Sequence, residues 1–299
     1  MAEAVFSKLE TTPGSAAMKL AVTAASGQLG RAVIDHLKTA HPIEDIIGIA
    51  RTPAKAADLG VEIRQGSYGD RDAFATALEG VDAVLLISGN DAPEKRIEQH
   101  RAVIDGARAA GVRRFVYTSV QGPEQGGGFA NIVCSNRQTE TDIRQSGLDW
   151  AIGRNGIYIE PDIEYIDSYR RLGGIRNCAG DGRCAYTSRP ELAFAYACLL
   201  RDGAHDGKTY NLSGTPISQS DLVGLMNGVL GTEMTYDYVD AQSFREDRIV
   251  EIGEFYGTVV AGIYEAIASG AFDNESHFLA ATGREHVSWP EFFSKIHAT

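Results

Sequence analysis

Short β-rich runs alternate with helix-length amphipathic segments through the first half of the chain. The runs are 18–24 (MKLAVTA), 46–51 (IIGIAR), 61–68 (VEIRQGSY), 82–88 (DAVLLIS) and 113–119 (RRFVYTS). Their nearly continuous apolar character suits parallel strands buried on both faces. Between them, Leu29, Ala32, Val33 and Leu37 share one helical face, and Ile97, Ile104 and Ala107 share another that stops at Gly111. Such alternation predicts an α/β fold, a Rossmann-type doubly wound parallel sheet.

The pattern continues with a helix over 131–146 and strands over 149–156 and 209–214. Two later helices begin with SRPE (188–191) and SWPE (288–291), which place Ser at the N-cap, Pro in the first turn and Glu at the reciprocal capping position. The expected division is a sheet domain of 18–156 plus about 190–215, and a smaller C-terminal substrate lobe of 157–189 plus 216–299. Residues 1–17 lack the basic start and apolar core of a secretory signal and are expected to be an extension outside the fold.

Composition excludes several roles. The formal net charge of −12 argues against a nucleic-acid surface or an anionic membrane as partner. No apolar stretch approaches the roughly 18 residues needed to span a bilayer. Cys134, Cys178, Cys184 and Cys198 form no CxxC pair, and free thiols in a reducing cytoplasm are the expectation. HExxH, GxSxG and paired Cys/His clusters are absent, so neither a metal site nor a serine nucleophile is expected.

The stretch VTAASGQLGRAV (22–33) follows a buried strand and opens a helix. It has the spacing of a dinucleotide-binding loop, with Gly27 and Gly30 in place and Ala24 where the first glycine belongs. Ala24 is tolerable if its φ stays negative. The backbone N–H groups of Gln28 and Leu29 then point at phosphate from the helix N-terminus, and Ser26 adds a hydroxyl. At the end of the second strand, Arg51 stands where an acidic residue would hold a ribose 2′-hydroxyl, and Lys55 follows. Two cations there favour a 2′-phosphate and hence NADP(H) over NAD(H).

Taken in order, VTAASGQLG, ARTPAKAADLGVEIRQGSYGD, VYTS, TETDIRQSGLDWAIGRNGIY and GKTYNLSG give a chain that resembles the NmrA-like branch of atypical short-chain dehydrogenases over about residues 18–299. Within that branch the pattern is similar to the type 2 NAD(P)H:quinone oxidoreductases and triphenylmethane reductase. The resemblance implies a cofactor cleft between sheet domain and lobe, with pyrophosphate on Ser26–Leu29 and the 2′-phosphate near Arg51 and Lys55. It implies Ser67 and Tyr68 beside the adenine. Ile87, Ser88 and Gly89 would line ribose and nicotinamide, and the segment 154–158, including Asn155, Gly156, Ile157 and Tyr158, would meet the carboxamide. Relatives carry Lys or His four residues before the helix glutamate matching Glu140; this chain has Asn136.

No tyrosine is followed four residues on by lysine, so the usual proton-transfer couple is missing. That favours an acceptor needing little acid catalysis, such as a quinone or a cationic dye. Asn136 can donate to a carbonyl or hold a water. Tyr117 and Tyr158 are the other candidate helpers, and Thr118 and Ser119 end a strand where cofactor or substrate contacts collect. Residues 122–130 (GPEQGGGFA) read as a lid or a permissive loop. His100 reads as a packed core histidine, and Asp70 as a helix cap or an indirect contact to adenine.

The expected function is hydride transfer from NADPH to a quinone or similar conjugated aromatic acceptor. Two other readings stay open: an NADP-binding redox sensor without turnover, of the NmrA type, and a reductase or isomerase of a specialised aromatic metabolite. The expected partner is a small aromatic molecule, with a homodimer left open.

Overall fold

The computed structural model describes residues 18–296; the expectation for residues 1–17 lies outside the described residues. The sheet half runs β1 (Leu20–Val22), α1 (Gln28–Leu37), β2 (Ile46–Ala50), β3 (Glu62–Gln65), α2 (Arg71–Ala77), β4 (Ala83–Leu86), α3 (Pro93–Ala109), β5 (Arg114–Val120), α4 (Gly128–Arg144) and β6 (Asp149–Asn155). There follow β7 (Ile157–Tyr158), α5 (Glu160–Glu164), α6 (Ile166–Leu172), β8 (Gly174–Asn177), β9 (Arg183–Cys184), β10 (Tyr186–Thr187), α7 (Arg189–Arg201) and β11 (Lys208–Leu212). The chain ends with β12 (Ile217–Ser218), α8 (Gln219–Leu230), β13 (Thr235–Tyr238), α9 (Ala241–Ile252), α10 (Glu254–Ala268), α11 (Phe278–Thr282) and α12 (Trp289–Ile296).

Seven parallel strands form the central sheet in the order β11-β6-β5-β4-β1-β2-β3. The predicted Rossmann-type sheet is therefore present. Alternate side chains fill its two faces, as a pleated strand requires. Leu20, Val22, Ala83, Leu85 and Val116 meet α1, α7 and α11, while Ala21, Val84, Leu86, Phe115 and Tyr117 meet α2, α3 and α4. All the sheet's strands but β5, which keeps seven residues one position further on, are shorter than the runs that announced them. β3 is also mostly exposed, because it is an edge strand with one sheet neighbour.

A separate core gathers the later elements around Ile159, Ile175, Tyr186, Met226, Ile267 and Phe272. The chain returns to the sheet through α7, which packs beside α1, and β11, which pairs with β6. It returns again at α11, where Phe278 and Ala281 join the sheet core.

Two capping expectations need adjustment. The Ser188 and Ser288 hydroxyls accept from the Glu191 and Glu291 amides, each at 3.4 Å, but the Glu191 carboxylate turns away to a bidentate pair with Arg284 and that of Glu291 to Lys295. The full reciprocal box forms instead at Ser218 and Asp221. Asp70 caps α2 through the Ala73 amide at 2.9 Å, as its position implied. At the start of α4, a Cβ on Gly128 would meet the Thr258 carbonyl, so this part of the suspected lid is packed against α10.

Candidate cofactor and acceptor site

The glycine loop lies between β1 and α1. Ser26, Gly27 and Gln28 are exposed, whereas the Leu29 side chain enters the sheet core. A Cβ at Gly30 would collide with the Ala24 carbonyl, so glycine lets α1 lie directly against the loop. The Gly27 amide donates to Ala24 O at 2.8 Å, and the first intrahelical bond runs from the Arg31 amide to Gly27 O. Among the described residues the amides of Gln28 and Leu29 have no acceptor, as at any helix start without a side-chain cap. An exposed helix N-terminus offering free donors fits a dinucleotide pyrophosphate.

Ala24 departs from expectation. Its φ is +49°, and it is the one non-glycine residue with positive φ among the described residues. The tight turn that brings Gly27 N onto Ala24 O forces this left-handed backbone, where a Cβ costs about 1–2 kcal/mol. The missing glycine thus leaves strain in the loop.

Beyond β2, Arg51 and Lys55 are exposed, and no ion pair engages either among the described residues. Sequence reasoning passed over Arg31, which organises this corner. Its guanidinium forms a bidentate pair with Asp58 at 2.8 and 3.0 Å, bonds Lys55 O, and reaches Ser26 O at 3.4 Å. Arg31 thereby ties the glycine loop to the turn that carries the two cations.

The segment Ile87–Gly89 is fixed by side chains from several elements. The Ile87 amide donates to Thr23 Oγ1 at 2.9 Å, the Ser88 amide to Thr118 Oγ1 at 2.8 Å, and the Gly89 amide to His100 Nε2 at 3.1 Å. Tyr68 donates its hydroxyl to Ile87 O at 2.6 Å. Its hydroxyl therefore binds protein, and only the ring edge stays available beside Ser67, which is exposed. His100 is buried as expected, and burial beside Arg96 pushes its imidazole down to about 3, so it is neutral. Thr118 is likewise engaged from behind rather than offered to a ligand.

Two proposed helpers are enclosed. Tyr117 is fully buried and donates to Asn136 Oδ1 at 2.6 Å; Ser88 Oγ donates to the same oxygen at 3.0 Å. The Asn136 amide nitrogen donates to Ile132 O at 2.8 Å. Asn136 is 2% exposed, so the expectation that it addresses a substrate carbonyl is corrected: its groups serve the packing of α4 on the sheet. Burial also raises the Tyr117 hydroxyl to about 12, which keeps it protonated.

Arg96, which the sequence did not flag, explains the asparagine. It is 5% exposed and bonds Ile132 O at 3.0 Å, the same carbonyl that Asn136 uses, together with Ser135 Oγ and Gly89 O. Among the described residues it has no carboxylate partner. A lysine at 136 would bury a second cation beside it.

Ser119 is also corrected. Its hydroxyl donates to Glu140 Oε1 at 2.7 Å, so at the end of β5 it is turned to α4 and closed to solvent. Glu140 is fully buried and holds Arg137, Arg144 and Arg154 within 3.0 Å. Burial alone would raise its carboxyl; the Arg154 hydrogen bonds, the Arg137 charge and the Ser119 hydroxyl outweigh it and hold the group at about 2.

After β6, Asn155 is 7% exposed, accepts from Tyr196 and donates to Tyr158 Oη at 3.2 Å. Gly156 is buried where Ala185 O leaves no room for a side chain. Ile157 and Tyr158 line a cavity of about 270 Å³ in the lobe. Arg189 lies over the Tyr158 ring at 5.7 Å, and burial lifts the Tyr158 hydroxyl to about 12. Asp162, Tyr169, Tyr186 and Tyr264 line the same cavity. Asp162 is 5% exposed, and Tyr169 donates to its Oδ1 at 2.9 Å. Burial pushes the Asp162 carboxyl up to about 6 against the pull of the Tyr169 and Tyr186 hydroxyls. Nothing periodic marked Asp162 in the sequence; an acid following proline in IEPDIEY reads as an ordinary helix start.

A parallel doubly wound sheet with a free helix N-terminus at its first turn defines a dinucleotide-binding oxidoreductase scaffold. The NAD(P)H-binding family profile matches residues 24–173. The chain is 35% identical to quinone oxidoreductase 2 of Escherichia coli strain K12 over 229 residues, 75% of this chain and 79% of that one. Its fold is similar to the E. coli NADPH-dependent quinone oxidoreductase crystallised with NADPH (TM-score 0.86, 30% identity, 93% of this chain and 99% of that one). It is also similar to Citrobacter triphenylmethane reductase complexed with NADP(H) (TM-score 0.86, 31% identity, 93% and 100%). The chain belongs to the NAD(P)H-binding family, in its NmrA-like branch of atypical short-chain dehydrogenases, and is an NAD(P)H-dependent oxidoreductase. Among the described residues no helix is long and apolar enough to cross a membrane, and no cluster of metal-ligating side chains occurs.

Proposed function

We propose that the chain reduces a quinone or a similar conjugated aromatic acceptor with NADPH. The observation that carries this reading is the tyrosine-lined cavity that begins at Ile157 and Tyr158, the segment expected at the nicotinamide. Its volume lies at the lower end of pockets that hold small organic ligands, and its aromatic walls suit a flat conjugated ring. The reduced nicotinamide supplies a hydride when bound.

The protein's part is mainly positioning. The Gln28 and Leu29 amides with Ser26 would hold the pyrophosphate, and exposed Arg51 and Lys55 would take the 2′-phosphate that separates NADPH from NADH. The side-chain bonds to Ile87, Ser88 and Gly89 fix one wall of the cleft before any ligand arrives, which lowers the cost of ordering it. Four free thiols suit a reducing setting such as the cytoplasm.

The test is NADPH oxidation with a panel of quinones, beside fluorescence titrations with NADPH and NADH. Turnover with NADPH preference is the expected result. Tight nucleotide binding with no turnover on any acceptor would overturn the reductase reading in favour of a sensor.

A further inference from the structure

We propose that Asp162, held by Tyr169 in the wall of the aromatic cavity, is the proton donor to the reduced acceptor. The inference rests on the reductase reading above and adds to it the acid that the sequence lacks. Tyr117, Asn136 and Ser88 close on one another and leave no proton for a ligand. Asp162 is different. Its carboxyl lines the cavity, is nine-tenths buried, and has one oxygen held by the Tyr169 hydroxyl at 2.9 Å.

The groups facing it come from every neighbouring element. Tyr169 lies on α6, Cys184 on β9, Tyr186 on β10 and Tyr264 on α10, and all four are neutral at neutral pH because burial raises each of them. Tyr158 approaches from β7; Arg176 from β8 and Arg248 from α9 line the same cavity, with Arg248 paired to Glu251 at 2.5 Å. Although two arginines line the cavity, burial among phenols and hydrocarbon lets the Asp162 carboxyl keep its proton to higher pH than one in water. The pattern is that of an acid tuned for donation near neutrality.

The balance is simple. The acceptor gains one hydrogen with its electron pair as the nicotinamide C–H bond breaks. The Asp162 O–H bond then breaks, and its proton joins the acceptor oxygen to complete a hydroquinone or alcohol. Bound NADPH would supply the electron pair, so the acceptor is reduced by two electrons. The carboxylate that remains regains a proton from water at the cavity mouth, where Tyr165 and Ile252 are 47% and 37% exposed. The acceptor class is therefore a planar aromatic whose reduction leaves an oxyanion.

The experiment compares two acceptors in one variant. A quinone needs hydride and proton, whereas a cationic triphenylmethane dye is neutralised by hydride alone. Asp162→Asn should lower kcat on the quinone by roughly 10²-fold at pH 6, with dye turnover and NADPH affinity within twofold of wild type. Tyr169→Phe removes a donor to the carboxylate, so the alkaline limb of the quinone pH profile should move to higher pH. Infrared difference spectra of wild type against Asp162→Asn, without substrate, should contain a carboxylic-acid C=O band at pH 5 that fades through pH 6 to 7. Equal losses on both acceptors, an unchanged quinone rate, or no such band would overturn the inference while leaving the reductase reading intact. Failure of wild type on every acceptor would overturn both.

Discussion

The Tyr117 hydroxyl donates to Asn136 Oδ1 at 2.6 Å, both residues being buried, and half-buried Ser88 donates to the same oxygen at 3.0 Å. Deleting that oxygen leaves the buried Tyr117 hydroxyl and the half-buried Ser88 hydroxyl without this acceptor. Asn136→Ala should destabilise the fold by about 2–4 kcal/mol, read as a drop in the denaturant midpoint. Turnover per folded molecule should stay within a few-fold of wild type. A loss of activity with unchanged stability would mean that Asn136 meets the substrate after all.

Ala24 holds a positive φ that glycine adopts freely. Ala24→Gly should stabilise the protein by about 0.5–1 kcal/mol, the left-handed penalty less the extra freedom of the unfolded glycine chain. Thermal unfolding of the two proteins decides it. A destabilised glycine variant would show that the loop carries no strain.

Arg51 and Lys55 are exposed at the end of β2, where only a 2′-phosphate distinguishes the two nucleotides. Arg51→Ala should weaken NADPH binding by about 10- to 150-fold, the worth of one charge-assisted hydrogen bond. NADH binding should be unchanged. Equal loss for both nucleotides would place the 2′-phosphate elsewhere.

Glu140 has its carboxyl held at about 2 by the arginines around it, against about 4.5 when unfolded. A depressed acid stabilises the fold above its unfolded value and loses that contribution as pH falls. About 3 kcal/mol should disappear between pH 4.5 and 2. Glu140→Gln should remove most of this pH dependence and destabilise the protein at pH 7 by about 3–5 kcal/mol. Urea titrations across the acid range read both effects.

Asp162 has the opposite sign. Its folded carboxyl sits at about 6 against an ordinary 3.8, so the folded state binds its proton more tightly and loses stability as pH rises from 3.8 through 6. Asp162→Asn cannot ionise. Its stability relative to wild type should therefore rise by on the order of 3 kcal/mol between pH 4 and pH 7. A pH-independent difference would show that the carboxyl titrates normally.

The sheet, the glycine loop with its free helix N-terminus and the two exposed cations after β2 were all legible in the chain, because each depends on neighbours in sequence. Parallel strands declare themselves by apolar runs, and Gly27 and Gly30 lie within one turn of the helix they open. Even there, the φ of Ala24 escaped, since its sign follows from how tightly Gly27 and Gly30 close on its carbonyl. Arg96 escaped because a cation in a helical pattern reads as solvated until α4 is seen covering it. Asp162 needed most of the lobe. Its proton affinity is set by water excluded through α6, β10 and α10, elements scattered over a hundred residues, and by one hydroxyl from Tyr169. Local spacing fixes backbone and charge position; only the packing of distant segments decides which polar groups meet water, and hence which can hold or release a proton.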